Sequence, residues 1–181
     1  IEARDVAAMT TEQVSALSTT QIEAMTSVQL AALLTDQVAS LTATQVAAIE
    51  TRDMAALRTD QIVALSANQL SAIDTAQLRA LQTAQLTAMT SDQVAVLSST
   101  QLNALTSQQW TSLTSGQIQA LTTAQIDKLS TGQVNALTTR MVAALTTDQI
   151  SALPTVNVVA LSTANVAALS TDQVSVLTTG Q

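Results

Sequence analysis

A repeat of eight residues runs from Ile1 to Gln181 without one insertion or deletion, and that period decides what the chain can fold into. Counted from residue 1, slot one always holds Leu, Ile or Met, from Ile1, Met9 and Leu17 to Leu177. Slot six is always apolar: Val6, Val14, Ile22, Leu30 and onward to Val174, with Trp110 filling it once. Slot eight is nearly always Ala, slot three nearly always Thr or Ser, and slot five nearly always Gln. The consensus is Leu-Thr-Thr-x-Gln-Val-x-Ala. Residues 1–181 therefore read as a single uninterrupted array with no internal linker.

A continuous helix cannot carry this pattern. Eight residues at about 100° each overshoot two turns by roughly 80°, so the apolar stripe would wind around the helix. The chain must turn inside every octad. Thr or Ser in slots two and three precede Gln and an apolar run, as in Thr146-Thr147-Asp148-Gln149-Ile150. Read from slot two, this is a Thr-x-x-Gln capping box. Slot three carries Thr or Ser more regularly and is the other candidate cap. Pro154, just before Thr155, favours slot three, because the proline would then lie outside the helix.

On a helical wheel, slots eight, five, one and six share one arc, while slots four and seven point away. The charges agree: every charged residue except Asp5, Asp53 and Lys128 occupies slot two, four or seven. Helices this short do not persist alone, so the octads must stack. The expected fold is an all-α solenoid of very short helices, one per octad. Two octads, sixteen residues, are expected per coil, since the departures from Ala in slot eight at Val96, Ser112, Lys128 and Val176 share that phase. Ser40 stands outside it. A β-solenoid is the alternative, because Thr, Val and Ile favour strands. Against it, slots one and six are an odd distance apart and would face opposite sides of a strand. Only 3 Gly and 1 Pro are present to turn a β-coil. No atypical polar cap marks either end, and the last octad stops partway, so the array is expected to be an excerpt of a longer chain.

Composition narrows the function. Cys and His are absent, which removes disulfides, thiolate and imidazole metal sites and the usual general base. The aspartates of slot four (Asp36, Asp60, Asp92, Asp148 and Asp172) are octads apart and suit helix N-termini better than a calcium loop. Neither an enzyme nor a bound cofactor is expected. A net charge of −7 with only 6 Lys and Arg argues against nucleic acid. No apolar run approaches the ~18 residues of a membrane span, and no signal peptide is in view. Trp110 is expected to overpack its slot or to be slightly exposed.

Slot five is the most informative polar position. Gln13, Gln21, Gln29, Gln37, Gln45, Gln61, Gln69, Gln77, Gln85, Gln93, Gln101, Gln109, Gln117, Gln125, Gln133, Gln149 and Gln173 all fall on the inward arc. A buried amide must find partners. One expectation is a structural ladder in which each Gln bonds to backbone left open at a neighbouring turn, or to the Gln one coil away. The other is a solvated Gln at a helix start. Asn157 and Asn165 keep the amide, whereas Met141 keeps only the length.

The octad, for instance Leu121-Thr122-Thr123-Ala124-Gln125-Ile126, resembles repeat arrays of very large bacterial secreted or surface exoproteins, often labelled adhesin-like, hemagglutinin-like or heme-utilisation proteins. The resemblance spans the whole chain. It implies an extracellular or cell-surface location and a stalk, spacer or fibre role, with neighbouring repeats as partners and self-association into filaments as an option. The heme label gains nothing from a chain without His, Tyr or Cys. A single unit also looks like the first helix of transcription-activator-like effector repeats, but the base-reading loops of those repeats are missing. Regular Thr rows leave an adhesive or ice-binding face as the alternative function.

Overall fold

The computed structural model describes residues 2–181, so the placing of Ile1 in slot one falls outside the described residues. Each octad folds as one helix of five or six residues. Among the described residues these are twenty-one α-helices and one 3-10 helix, with no strand, so the β-solenoid alternative falls.

Every helix begins at slot three and is capped by slot two. Before α2 (Thr11–Ser15), Thr10 Oγ1 accepts the Gln13 N–H at 3.2 Å and Gln13 Oε1 accepts the Thr10 N–H at 2.8 Å. The slot-three phasing is thereby corrected, and Pro154 does not argue for it. Pro154 is itself the cap residue, with φ −58° and ψ 148°. An extended cap suits the fixed φ of proline, and its missing N–H lies outside the helical ladder. Slots one and two form an extended corner, as at Leu41 (φ −60°, ψ 140°) and Thr42 (φ −72°, ψ 158°). No described residue has positive φ, so no corner depends on glycine.

Helix α1 (Ala3–Ala7) packs on α4 (Ser27–Ala32), α2 on Thr35–Ser40, and α3 (Thr19–Glu23) on Ala43–Ala47. The same offset persists to the last pair, Thr147–Ser151 on Thr171–Ser175. One coil therefore takes three octads, the 24-residue step from the helix start at Ala3 to that at Ser27, and not the sixteen expected. Slot eight misled because it is a margin position. Its alanines are mostly half-buried, and Val96 and Lys128 stand exposed. Substitution there does not report how the coil closes. Slots one and six report the core directly, and both are buried along almost the whole solenoid.

Each coil also has a direction. Slot six points toward the following coil: Val6, Val14 and Ile22 are buried, whereas Val166 and Val174 are each 51 % exposed in the last coil. Slot five points toward the preceding coil: Gln13 and Gln21 are exposed, whereas Gln173 is buried.

The 24-residue coil makes a direct prediction. Deleting residues 75–98 removes one coil and should leave helical circular dichroism and cooperative melting intact. Deleting only residues 75–78 breaks the slot register and should cost cooperativity in the same measurement.

Candidate functional site

The recurring polar contact of this molecule is the slot-five side chain at the boundary between coils. A helix of five residues leaves most of its backbone groups without intrahelical partners. Slot five serves both ends of that deficit. Gln69 Oε1 accepts the Ser66 N–H of its own cap at 2.7 Å. Its Nε2 donates to the carbonyls of Val38 at 2.9 Å and Leu41 at 2.7 Å, where a helix of the preceding coil ends and turns its corner. One side chain thus bridges a helix start to a helix end.

The same bridge recurs at Gln37, Gln45, Gln61, Gln77, Gln85, Gln93, Gln101, Gln109, Gln117, Gln125, Gln149 and Gln173. Each donates to a slot-one carbonyl at 2.6–2.8 Å. Gln133 reaches only the Leu102 carbonyl, at 2.7 Å. These partners are backbone oxygens, not the glutamine one coil away. In the first coil, Gln13 and Gln21 are exposed and close only their own capping boxes. Gln29 is half-buried and accepts the Thr26 N–H at 2.7 Å.

Departures from Gln show what the position demands. Asn157 and Asn165 are one methylene shorter, and each donates only to the slot-one carbonyl, of Leu129 and Leu137 respectively, at 2.9 Å. Asn157 follows the Pro154 cap, which has no N–H for a longer amide to accept. Met141 is fully buried and donates nothing, yet the Leu113 carbonyl is still served, by Arg140 Nη2 at 2.8 Å. Two slot-two residues make similar ties where a hydroxyl cap is missing. Arg58 donates to the carbonyls of Ala31 and Leu33, and Gln82 Nε2 donates to that of Ala55 at 3.0 Å.

Asp53 is the strongest departure. Only 4 % exposed, its carboxylate accepts from Ser27 Oγ and lies 3.6 Å from Arg52 Nε. It caps nothing, and its octad, Thr51–Ala56, is the 3-10 helix. A hollow of about 400 Å³ opens beside it, lined by Glu23, Met25, Ser27, Arg52 and Asp53 among others.

Sequence reading overlooked Gln181, which bonds the Leu153 carbonyl at 2.7 Å and was legible from its slot alone. It also overlooked Arg58, Gln82 and Arg140, whose slots face outward; only long side chains curling back over the coil edge reveal them. Trp110, expected to overpack or to be exposed, is 1 % exposed and donates Nε1–H to the Gln133 carbonyl at 3.0 Å. The slot-four aspartates sit in first helical turns. Arg58 beside Asp60 holds that carboxyl below the usual range, and Asp127 raises Lys128 above its own. No group of three or more Asp or Glu converges on one point among the described residues.

Two measurements test the bridge. Gln77→Ala strips partners from a cap N–H and from corner carbonyls, and should cost on the order of 2–3 kcal/mol in chemical denaturation. Gln13→Ala, which loses only an exposed cap contact, should cost well under half of that. In a double-mutant cycle, Arg140→Ala should destabilise the natural chain and cost far less once Met141→Gln supplies the missing donor.

A model of the ALTTAQ repeat family matches residues 1–35, 46–78, 70–107, 107–139, 123–155 and 155–181. No curated protein matches the chain.

Proposed function

This chain belongs to the ALTTAQ repeat family, and from that premise we propose that it is a structural segment, a stalk, spacer or fibre, and not a catalyst. The observation that carries this reading is the repetition of a single contact: every coil is joined to the next by the same amide-to-carbonyl bridges over the same aliphatic slots. Such a contact supplies length in equal steps, because each coil needs only its neighbours. The exposed slots four and seven vary freely, as expected of a surface without one defined ligand. The resemblance of the octad to arrays of large bacterial exoproteins supports an extracellular or cell-surface setting. No described helix is long and apolar enough to cross a membrane.

A second reading, an adhesive or ice-binding face, rests on one feature. At 24-residue spacing, Ser18, Thr42, Ser66, Thr90, Thr114, Thr138 and Ser162 form an unbroken column of hydroxyl caps along one corner. Saturable binding to ice or glycan, lost on substituting that column with Ala, would favour it over the spacer.

Small-angle scattering tests the spacer. At the 8–10 Å separation of packed helices, some seven and a half coils give a rod of roughly 60–75 Å. Removing residues 75–98 should shorten it by about 8–10 Å without thinning it. A compact particle, or a length that ignores coil number, would overturn the reading.

A further inference from the structure

Arg52 and Arg140 stand in the same place of their octads but point in different directions. Both occupy slot four, each beside a slot-five residue that has no amide, Asp53 and Met141. Arg140 Nη2 donates to the Leu113 carbonyl at 2.8 Å and its Nη1 to Ser115 Oγ at 3.4 Å, 27 and 25 residues back. The same steps back from Arg52 arrive at Met25 and Ser27. Both residues line the hollow of about 400 Å³, and so does Arg52. The slot-one carbonyls of the flanking octads, Leu17 and Leu33, are served by Gln45 and Gln61. That of Met25 receives no donor from any described residue. Arg52 turns outward instead: its Nη2 pairs with Glu50 Oε2, its Nε lies 3.6 Å from Asp53 Oδ2, and its side chain is 76 % exposed. Glu50 is in slot two, where Arg140 has the hydroxyl cap Thr138, and its side chain caps nothing. The boundary is internal, since α4 packs on α1 on one side and on Thr51–Ala56 on the other.

We propose that Arg52 is a two-position latch on this coil boundary. Glu50 holds it out over the surface. Released, it swings over the coil edge into the hollow and donates to the Met25 carbonyl and Ser27 Oγ, as Arg140 donates to their counterparts. The move keeps the buried charge compensated. Ser27 Oγ is the hydroxyl that donates to the Asp53 carboxylate, so a guanidinium on that oxygen stays beside the carboxylate. Ionic strength selects the position. The Arg52–Glu50 pair lies at the surface, where salt near 1 M cuts the screening length to about 3 Å. A guanidinium bond to a carbonyl at the coil edge acts at contact distance with less water around it, and is screened far less. Low salt therefore favours the outward position and high salt the inward one. The boundary tightens as salt rises, opposite in sign to an ordinary surface ion pair.

Urea unfolding of the 181-residue chain tests this, with and without Arg52→Ala, in the natural and Glu50→Gln backgrounds, at low and high sodium chloride. Neither side chain is in the packed core, so helical content should not change. With Glu50→Gln in place, Arg52→Ala should lower the folding equilibrium constant about tenfold, as loss of a bond from a charged donor does. In the natural chain at low salt the same substitution should lower it no more than about twofold. That loss should then grow toward the larger value as salt is raised. A natural-chain loss that stays level or shrinks with salt would make Arg52 an ordinary surface partner of Glu50 and overturn the proposal. Equal losses in the two backgrounds at low salt would overturn it as well.

Discussion

The whole solenoid depends on one side chain doing two opposite jobs. A helix of five or six residues cannot satisfy its own backbone: the donors at its start and the acceptors at its end make up most of its polar groups. Stacking such helices dry would bury those groups at a cost of 1–3 kcal/mol each. The slot-five glutamine has the reach to put Oε1 on a cap N–H and Nε2 on the carbonyls ending a helix one coil away. Satisfying both lets leucine, isoleucine and valine in slots one and six close over a core whose one aromatic side chain is Trp110.

The same logic explains which irregularities the array absorbs. Loss of the amide at Met141 is tolerated because a guanidinium from the next slot reaches the corner carbonyl. Loss at Asp53 is not repaired in kind: an acceptor stands where a donor is needed, it turns to Ser27, and the local helix tightens to 3-10 geometry. Shortening to Asn157 or Asn165 gives up the cap contact and one carbonyl but keeps the corner bond. In each case the helices of the neighbouring octads persist, as expected where every unit contacts only its neighbours.

Much of this was legible in the residues because an octad leaves few choices. The mismatch of eight with the helical turn forced a corner, and slots one, five and six named the inward face. The coil size was not legible. Three-fold closure depends on how a short helix and an extended corner add up in space, and the slot-eight substitutions that suggested sixteen residues lie at the margin of the core. The cap position was readable in principle from Thr-x-x-Gln, but Pro154 pointed the wrong way because a proline is equally at home at the cap itself. Arg58, Gln82 and Arg140 were invisible because their slots face solvent and only their length brings them back to a carbonyl.

Amide hydrogen exchange of the slot-two N–H groups measures the bridge most directly. Ser66 and Thr114 donate to buried glutamines that are locked to the preceding coil, whereas Thr10 and Ser18 donate to the same atom of exposed glutamines whose Nε2 bonds no other coil of residues 2–181. The account predicts that Ser66 and Thr114 exchange only through global or multi-coil unfolding, and that Thr10 and Ser18 exchange by local fraying at much faster rates. Equal, fast exchange at all four positions would contradict it, because the glutamines would then be ordinary helix caps and the coils would be held together by something else.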